Sequence, residues 1–514
     1  MAGILIPVFS IRGEHDLGIG DVASLSEFVR LASEVEFSFV QLLPITETGP
    51  DNSPYNAISS VAIDPLTIHC RPEALPDLDE PMFEATLSKF DLEMLNSGPV
   101  QYAEVRRLKH ELLHAAYDRF MTNTYGQVDL RADEFERFCA SEASWLNDYC
   151  VFRFLMDEEG GSQVWSEWRE EFQTYEGAVA FLQARAESDA AAIDRSLRYY
   201  AYVQWIAYQQ WHEVVEDAAN RGILLMGDIP FGVSLYSVDV WADREIFDLD
   251  WYGGAPPEEL FKDDEFVQKW GQNWGIPLYN WEALEGRGYD WWRRRIEKTT
   301  EIFRLFRVDH ALGFYRIYSF PWNPVRNEEF LPLSADEAAE RCGGRLPGFR
   351  ARPDGTAEEK QANCDDGERY LSMLKEAAGK AEVIAEDLGT VPDYVRPSLE
   401  KLGIAGMKVP QWEFDDWRVT SGLKYPRLSF ATYATHDHAP MQVQWNEALA
   451  AMSTNQPESE DWIEARDFLG ALSGFAGLEF NEMAIREYSD EIWDALFRQL
   501  SLSNSDRIAV MVSD

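Results

Sequence analysis

The stretch FRLFRVDHALGFYRIY, residues 303–318, begins as a buried strand and then places ionisable residues inside an apolar run. Burying a charge costs free energy unless the charge is paired or put to use. Arg307 and Asp309 therefore predict one of two arrangements. They form an ordinary ion pair at a strand end, or they belong to a site that needs buried charge.

Alternate residues of a strand point to opposite faces, so this strand has two different faces. Leu305, Arg307 and Asp309 share one face, and Phe306 and Val308 share the other. The apolar pair is expected to pack outward on helices. That orientation points Asp309 inward, toward the residues of neighbouring strands.

Similar apolar runs recur along the chain, and several of them end in polar residues or glycine next to a helical pattern. The eight runs are GILIPVF (3–9), FSFVQLLPI (37–45), GILLMGDIPF (222–231), FRLFRVDH (303–310), AEVIAEDLG (381–389), GIAGMKVPQW (403–412), SFATYATHD (429–437) and RIAVMVSD (507–514). Eight strands alternating with helices predict an α/β fold of the (β/α)8 TIM-barrel type. A doubly wound open sheet is the alternative.

We expect residues 1–514 to form a single barrel domain with long insertions. Helical periodicity dominates residues 70–215, which predicts a helical subdomain inserted after the second strand. Long connections are also predicted after the third and fourth strands, and residues 311–380 are interpreted as a loop or lid. No helical pattern follows the last run, so the final barrel helix is expected to be missing.

Composition excludes several classes of partner. The net charge of −44 argues against nucleic acid and against an anionic membrane surface. No apolar stretch is long enough for a membrane span, and the N-terminus lacks the features of a signal peptide. The five cysteines are scattered without metal-binding spacing, which favours a reducing compartment and a cytoplasmic location.

Four carboxylates stand at the carboxyl ends of predicted strands: Asp228, Asp309, Glu386 and Asp437. Active sites of (β/α)8 barrels are built at these ends. Converging carboxylates repel, so at least one pKa must rise, and Arg307 is placed to keep Asp309 ionised while Glu386 stays protonated. Such a pair suits cleavage of a glycosidic bond. Capping of the helices that follow the strands is the alternative role.

Loops rich in glycine, proline and aromatic residues favour a sugar site. NSPYNAISS (52–60) follows the second run, and the segment 254–281 follows the third. Flat rings on rigid loops suit the C–H faces of sugars. The HDH segment at 436–438 offers a competing hypothesis, because two histidines flanking an aspartate can ligate a divalent ion.

These motifs together resemble the 4-α-glucanotransferases, also called amylomaltases or disproportionating enzymes, of glycoside hydrolase family 77. The resemblance extends over nearly the whole chain. Within the family, the chain is most similar to the catalytic core of the branch that holds the plant cytosolic enzyme. The motifs that carry it are SIRGEHDLGIGD, QLLPI, SPYNAISS, MGDIPFGV, DVWA, GAPPE, GQNWGIPLYNW, FRVDH, IAEDLG, GMKVPQWEF and THDH.

The resemblance implies a retaining α-1,4-glucan transfer through a covalent glycosyl-enzyme, without a metal or an organic cofactor. Asp309 matches the nucleophile, Glu386 the acid/base and Asp437 the third carboxylate of the family. A retaining mechanism implies a separation of about 5–5.5 Å between the first two carboxyls. The residues that match substrate-binding positions are Ser53, Tyr55, Asp228, Gln272, Trp274, Arg307 and His436.

The chain departs from the family pattern at Ala311-Leu312 and at His438, which puts the acceptor contacts in question. The implied partners are α-glucans and maltooligosaccharides. An α-glucan hydrolase with the same carboxylates and a truncated, inactive glucan-binding protein are the alternatives. The preferred donor and acceptor and the oligomeric state are left open by the sequence.

The acidic composition predicts a salt-dependent stability. With 11 lysines, 35 arginines and a net charge of −44, self-repulsion should destabilise the compact state until salt screens it. Raising KCl from about 0.01 M to about 1 M shortens the screening length from about 30 Å to about 3 Å. We expect the thermal unfolding midpoint to rise across this series. Acid-rich, lysine-poor surfaces occur in proteins that work at high salt, and a flat or falling midpoint would contradict the hypothesis that this protein is one of them.

Overall fold

A closed barrel of parallel strands forms the centre of the protein. The computed structural model describes residues 1–258, 264–415, 418–482 and 486–514. The barrel strands are β1 (Ala2–Leu5), β2 (Phe39–Gln41), β3 (Leu224–Ile229), β4 (Leu305–Val308), β5 (Glu382–Ala385), β6 (Ala405–Lys408), β7 (Ser429–Thr432) and β8 (Arg507–Met511). Each strand pairs in parallel with its neighbours in the chain, and β1 closes on β8.

Every apolar run predicted as a strand overlaps one barrel strand. The predicted (β/α)8 barrel is therefore confirmed, and the open doubly wound sheet is excluded by the pairing of β1 with β8. The two predicted faces of β4 are also present. Leu305 packs inside the barrel with Phe39 and Ile384, whereas Phe306 and Val308 belong to the outer core between strands and helices.

Helices surround the barrel and fill its long connections. The first is α1 (Val22–Glu34), whose N-terminus is capped by Asp21. Between β2 and β3 lie α2 (Glu80–Leu87), α3 (Leu92–Leu95), α4 (Tyr102–Asn123), α5 (Leu130–Ser141), α6 (Ala143–Glu158) and α7 (Tyr175–Asn220). Between β3 and β4 lie α8 (Val238–Ala242), α9 (Glu265–Trp270), α10 (Trp281–Gly286) and α11 (Asp290–Ile302).

Helices also fill the connections in the second half of the barrel. After β4 come α12 (Asn327–Phe330), α13 (Ala335–Arg341) and α14 (Ala357–Ala378), and α15 (Val395–Leu402) follows β5. Between β7 and β8 lie α16 (Met441–Thr454), α17 (Glu460–Ala476) and α18 (Asp490–Ser501). Of the helices in the described ranges, none combines the length and apolarity needed to cross a membrane.

Side-chain amides of α7 join this helix to the loop that follows β2. Gln204 accepts from the backbone N–H of Ile63 at 2.8 Å and donates to its carbonyl at 2.9 Å. Gln210 makes the same double contact with His69, at 2.8 and 3.2 Å. Both glutamines are buried, so these contacts replace hydrogen bonds that water would otherwise make.

A second, antiparallel sheet lies in the connections after β3 and β4. Its strands pair in the order Gln272–Tyr279, Phe247–Ala255, Ile317–Phe320 and Gly348–Arg350. This sheet was not predicted from the sequence, where segments 254–281 and 311–380 are interpreted as loops; residues 259–263 of the former lie outside the described residues. The first pairing is interrupted by register shifts, so its strands lack a regular alternation.

Close packing at the bottom of the barrel predicts the effect of a single methyl group. Gly3 on β1 lies against the ring of Phe39, and a Cβ at this position would overlap that ring. We expect Gly3→Ala to lower the free energy of unfolding by about 1–3 kcal/mol, because overpacking forces a buried ring to move.

Thermal unfolding of Gly3→Ala beside Gly286→Ala measures this cost. Gly286 ends α10 and has open space around the added Cβ, so its variant should unfold at or slightly above the wild-type midpoint. Equal midpoints for both variants would contradict the close contact at Gly3.

Candidate active site

The carboxyl ends of β3, β4, β5 and β7 bring the predicted carboxylates to one end of the barrel. Asp228 lies within β3, Asp309 and Glu386 directly follow β4 and β5, and Asp437 lies five residues after β7. The parallel register sets this arrangement, since Asp228 pairs with Arg307 in the β3–β4 ladder. The strands thus place the acidic side chains around a common centre.

Arg307 connects two of these carboxylates. Its Nη1 lies 2.6 Å from Asp228 Oδ2, and its Nη2 lies 2.7 Å from Asp309 Oδ1. The arginine side chain is 3% exposed, whereas the side chain of Asp309 is 26% exposed. The charge of the guanidinium is compensated by the two carboxylates, although Arg307 Nε and Asp228 Oδ1 are buried without a hydrogen-bond partner among the described residues. Only Asp309 of the three opens toward solvent.

Tyr55 forms a second connection across the site. Its hydroxyl donates to Asp228 Oδ2 at 2.6 Å, and its ring stacks on His436 with centroids 4.9 Å apart and planes 6° from parallel. His436 Nε2 in turn lies 3.2 Å from Asp437 Oδ1. The loop after β2 is thereby joined to the segment after β7.

Glu386 is held mainly by backbone groups. Its Oε2 accepts from the N–H of His310 at 2.8 Å, and its Oε1 accepts from the N–H of Leu388 at 3.2 Å. His310 adopts a left-handed conformation with φ 44° and ψ 49°. This turn directly after Asp309 aims the amide of His310 at the carboxylate on the neighbouring strand.

The pKa values of the carboxyls diverge. Burial raises the pKa of Glu386 to about 7, with Arg307 opposing the shift and Asp309 adding to it. Burial also raises the pKa of Asp309; Arg307 lowers it as predicted but is outweighed, so the net direction is upward. Burial would raise the pKa of Asp437 too, yet the hydrogen bond and charge of His436 reverse the shift.

The second sheet brings an aromatic side chain to the same centre. Trp274 is 39% exposed, and its ring meets the ring of His310 edge to face at 4.8 Å. Its indole N–H donates to Gln272 Oε1 at 3.0 Å. Asn273 anchors this segment by donating to the carbonyl of Trp322 at 3.0 Å.

Ser53 lies two residues before Tyr55 on the loop after β2. Its backbone N–H donates to Asp51 Oδ1 at 3.2 Å, which is a contact within the loop. Side-chain contacts thus join Tyr55 to the central cluster. Ser53 lies near that cluster only because it is two residues from Tyr55 in the chain.

Two further groups lie next to the predicted residues. His310 supplies the amide that holds Glu386, and its ring is expected to be neutral because burial lowers its pKa to about 4. Trp412, after β6, is half exposed and lies 4.9 Å from the ring of His438. Neither residue was predicted for the site. The position of His310 directly after Asp309 could have indicated it, and Trp412 lies in the motif GMKVPQWEF.

The histidines of the HDH segment make hydrogen bonds to protein groups. His436 pairs with Asp437, and His438 Nδ1 lies 3.0 Å from Thr435 Oγ1. In the part of the chain that the structure describes, no group of three or more His, Cys, Asp or Glu side chains is arranged to hold a metal ion.

Comparison with known proteins gives a consistent result. The family model described as 4-alpha-glucanotransferase, glycoside hydrolase family 77, matches residues 6–514. A 4-alpha-glucanotransferase of Thermus thermophilus is 30% identical over 424 residues, covering 80% of this chain and 73% of the relative. The 4-alpha-glucanotransferase DPE2 of Oryza sativa subsp. japonica is 30% identical over 330 residues, covering 62% of this chain and 32% of that protein.

The fold has counterparts among solved structures. An amylomaltase from Streptococcus agalactiae in complex with acarbose superimposes with a TM-score of 0.72 at 23% identity. The match covers 99% of this chain and 89% of the other. This similarity extends the barrel assignment to the whole architecture.

The raised pKa of Glu386 predicts a pH-dependent cost to stability. A carboxyl whose pKa rises from 4.5 to about 7 on folding stabilises the folded state only while it is protonated. Stability from this group is therefore full below its unfolded pKa and is lost as pH rises toward its folded pKa. Glu386→Gln should gain about 1–3 kcal/mol relative to the wild type between about pH 5 and about pH 8.

Thermal unfolding of both proteins at the two pH values measures the difference. Glu400→Gln, which changes an exposed glutamate on α15, should show the same difference from wild type at both. A Glu386→Gln difference that does not change with pH would contradict the raised pKa.

Proposed function

Because the chain belongs to the 4-alpha-glucanotransferases of glycoside hydrolase family 77, we propose that Asp309, Glu386 and Asp437 are its catalytic residues. The activity is 4-alpha-glucan transfer, as in the family and its curated members. The observation that carries the residue assignment is the pairing of an arginine-bound, solvent-facing Asp309 with a Glu386 of pKa about 7. One carboxyl can attack while the other is still able to donate a proton.

The reaction proceeds in two displacements. Ionised Asp309 attacks the anomeric carbon of the donor glucan, while Glu386 protonates the glycosidic oxygen and the leaving glucan departs with a free hydroxyl. The acceptor hydroxyl then loses its proton to Glu386 and attacks the same carbon, which releases Asp309. Two inversions retain the α-configuration, and Glu386 ends protonated as it began.

Supporting residues surround the donor sugar. Asp437, ionised because its pKa is lowered by His436, binds sugar hydroxyls and favours the positive charge that develops on the ring. Arg307 and Asp228 fix Asp309 in its attacking position. The resemblance to the family implies these roles, and the contacts of Arg307 and His436 with the carboxylates support them.

A wall and an arch complete the cleft. Tyr55 and His436 form a stacked pair against which a sugar can rest, and Ser53 contributes to the same side. Trp274 and Gln272 extend over the centre from the second sheet. Cover from this side keeps water from the glycosyl-enzyme, which favours transfer over hydrolysis.

We assign these walls to insertions in a single domain spanning residues 1–514. Residues 70–215 form the helical subdomain that supports the loop of Tyr55. Residues 311–380 contribute strands to the second sheet and act as a lid. The glucan chain would lie between these two parts, across the open end of the barrel.

The proposed partners are α-glucans and maltooligosaccharides, with no added metal or organic cofactor. A cytoplasmic location is supported by the cysteines, all five of which lie among the described residues as free thiols. Glucose, maltose and longer glucans are all candidate acceptors.

Incubation with maltotriose and separation of the products tests the function. Transfer produces a ladder of longer and shorter maltooligosaccharides. Glucose and maltose alone would identify a hydrolase, and unchanged maltotriose would identify a binding protein. Activity that disappears with a chelator and returns with a divalent ion would instead support a metal site at residues 436–438.

Asp309→Asn tests the nucleophile. We expect turnover of maltotriose to fall by about 10⁴-fold or more, because the covalent intermediate cannot form. Stability should match or slightly exceed that of the wild type, since burial disfavours the charged form of Asp309 and Asp228 still pairs with Arg307.

The matched control is Asp366→Asn, which removes another aspartate paired with an arginine, Arg352, at 2.8 Å. This variant should keep full turnover. A large drop in the unfolding midpoint of Asp309→Asn would instead make the pair with Arg307 a structural ion pair.

A further inference from the structure

The loop that carries Ser53 and Tyr55 is regular at its base and irregular at its tip. At the base, the N–H of Glu47 donates to the carbonyl of Ala62 at 2.9 Å. At the tip, Asn52 has a φ of 59°, a left-handed conformation that L-residues rarely adopt. Asparagine adopts this region more readily than most residues, and here the Asn52 side chain is also bound by Arg106.

The tip is not packed solidly against the barrel. A pocket open to solvent lies beside it, and its lining includes Phe9, Tyr102 and the loop residues Thr48, Asn52 and Pro54. A loop beside open space can shift unless something else fixes it.

Arg106 of α4 binds three points of this loop. Its Nη2 donates to Thr48 Oγ1 at 2.7 Å, to the carbonyl of Gly49 at 3.2 Å and to Asn52 Oδ1 at 2.9 Å. Its Nη1 lies 3.4 Å from the carbonyl of Thr48. One guanidinium therefore holds both sides of the turn, and it is supplied by a helix of the insertion.

A short segment, held by hydrogen bonds of Asp51, connects the residues bound by Arg106 to Tyr55 in the site. Asp51 accepts from the N–H of Ser53 at 3.2 Å and from the side-chain amide of Asn56 at 2.6 Å. Tyr55 lies between Asp51 and Asn56, three residues after Asn52, and its hydroxyl donates to Asp228 at 2.6 Å. A movement of the tip would displace the Tyr55 ring from its stack on His436.

We propose that Arg106 is a positioning residue for glucan transfer, which acts on the site by holding Thr48, Gly49 and Asn52 so that Tyr55 stays in place. The inference rests on the proposed function of the site around Tyr55. It gives the helical insertion a part in the reaction, since α4 fixes one wall of the cleft.

Arg106→Met tests the proposal, because it keeps most of the aliphatic stem and removes every donor. We expect kcat/KM for maltotriose transfer to fall by about 10- to 100-fold, the cost of a misplaced binding group. Arg106→Lys keeps one nitrogen for three acceptors and should recover part of the loss. The matched control is Arg107→Met, since Arg107 is half exposed and pairs with Glu104 at 2.6 Å.

A double variant separates positioning from general stability. If Arg106 acts through Tyr55, adding Arg106→Met to Tyr55→Ala, which removes both the ring and the hydroxyl, should cost much less than it costs in the wild type. Hydrogen exchange adds a readout that needs no activity: amides of residues 49–56 should exchange faster in Arg106→Met and at the wild-type rate in Arg107→Met.

Three results would overturn the proposal. These are an unchanged kcat/KM and exchange rate in Arg106→Met, an equal loss in Arg107→Met, and fully additive losses in the double variant. A wild-type protein that gives no transfer products would refute the proposed function alone, because the exchange experiment would still decide whether Arg106 holds the loop.

Discussion

A single buried guanidinium organises the open end of this barrel. Arg307 binds Asp228 of the preceding strand at 2.6 Å and Asp309, which directly follows its own strand, at 2.7 Å. Two carboxylates and one arginine carry a net negative charge, so the group is stable only with further donors, of which the Tyr55 hydroxyl is one. The loop after β2 is consequently recruited to the site by electrostatics as well as by packing.

The same constraint explains why the site is costly to fold. Burial raises the pKa of both Asp309 and Glu386, which means that their ionised forms are destabilised relative to water. Asp437 escapes this cost because His436 compensates it. The stability needed to hold such charges comes from elsewhere, notably the buried core shared by strands and helices and the amide contacts of Gln204 and Gln210.

Periodicity made the barrel and its inward carboxylates predictable. Because side chains alternate along a strand, Leu305 and Arg307 must lie on one face and Phe306 and Val308 on the other. Parallel strands then bring their carboxyl ends to the same end of the barrel. The second sheet lacked this signal, since its first pairing is broken by register shifts. Arg106 was also beyond prediction, because its contacts join α4 to a loop more than fifty residues earlier in sequence.

The left-handed turn at His310 has a consequence for how the protein can change over evolutionary time. The group that holds Glu386 there is a main-chain amide, which every residue except proline possesses. A substitution of His310 can therefore change the ring that contacts Trp274 and still keep the hydrogen bond from the backbone N–H to Glu386. The backbone path fixes the orientation of the acid, and the side chain above it can change only among residues that accept a left-handed backbone.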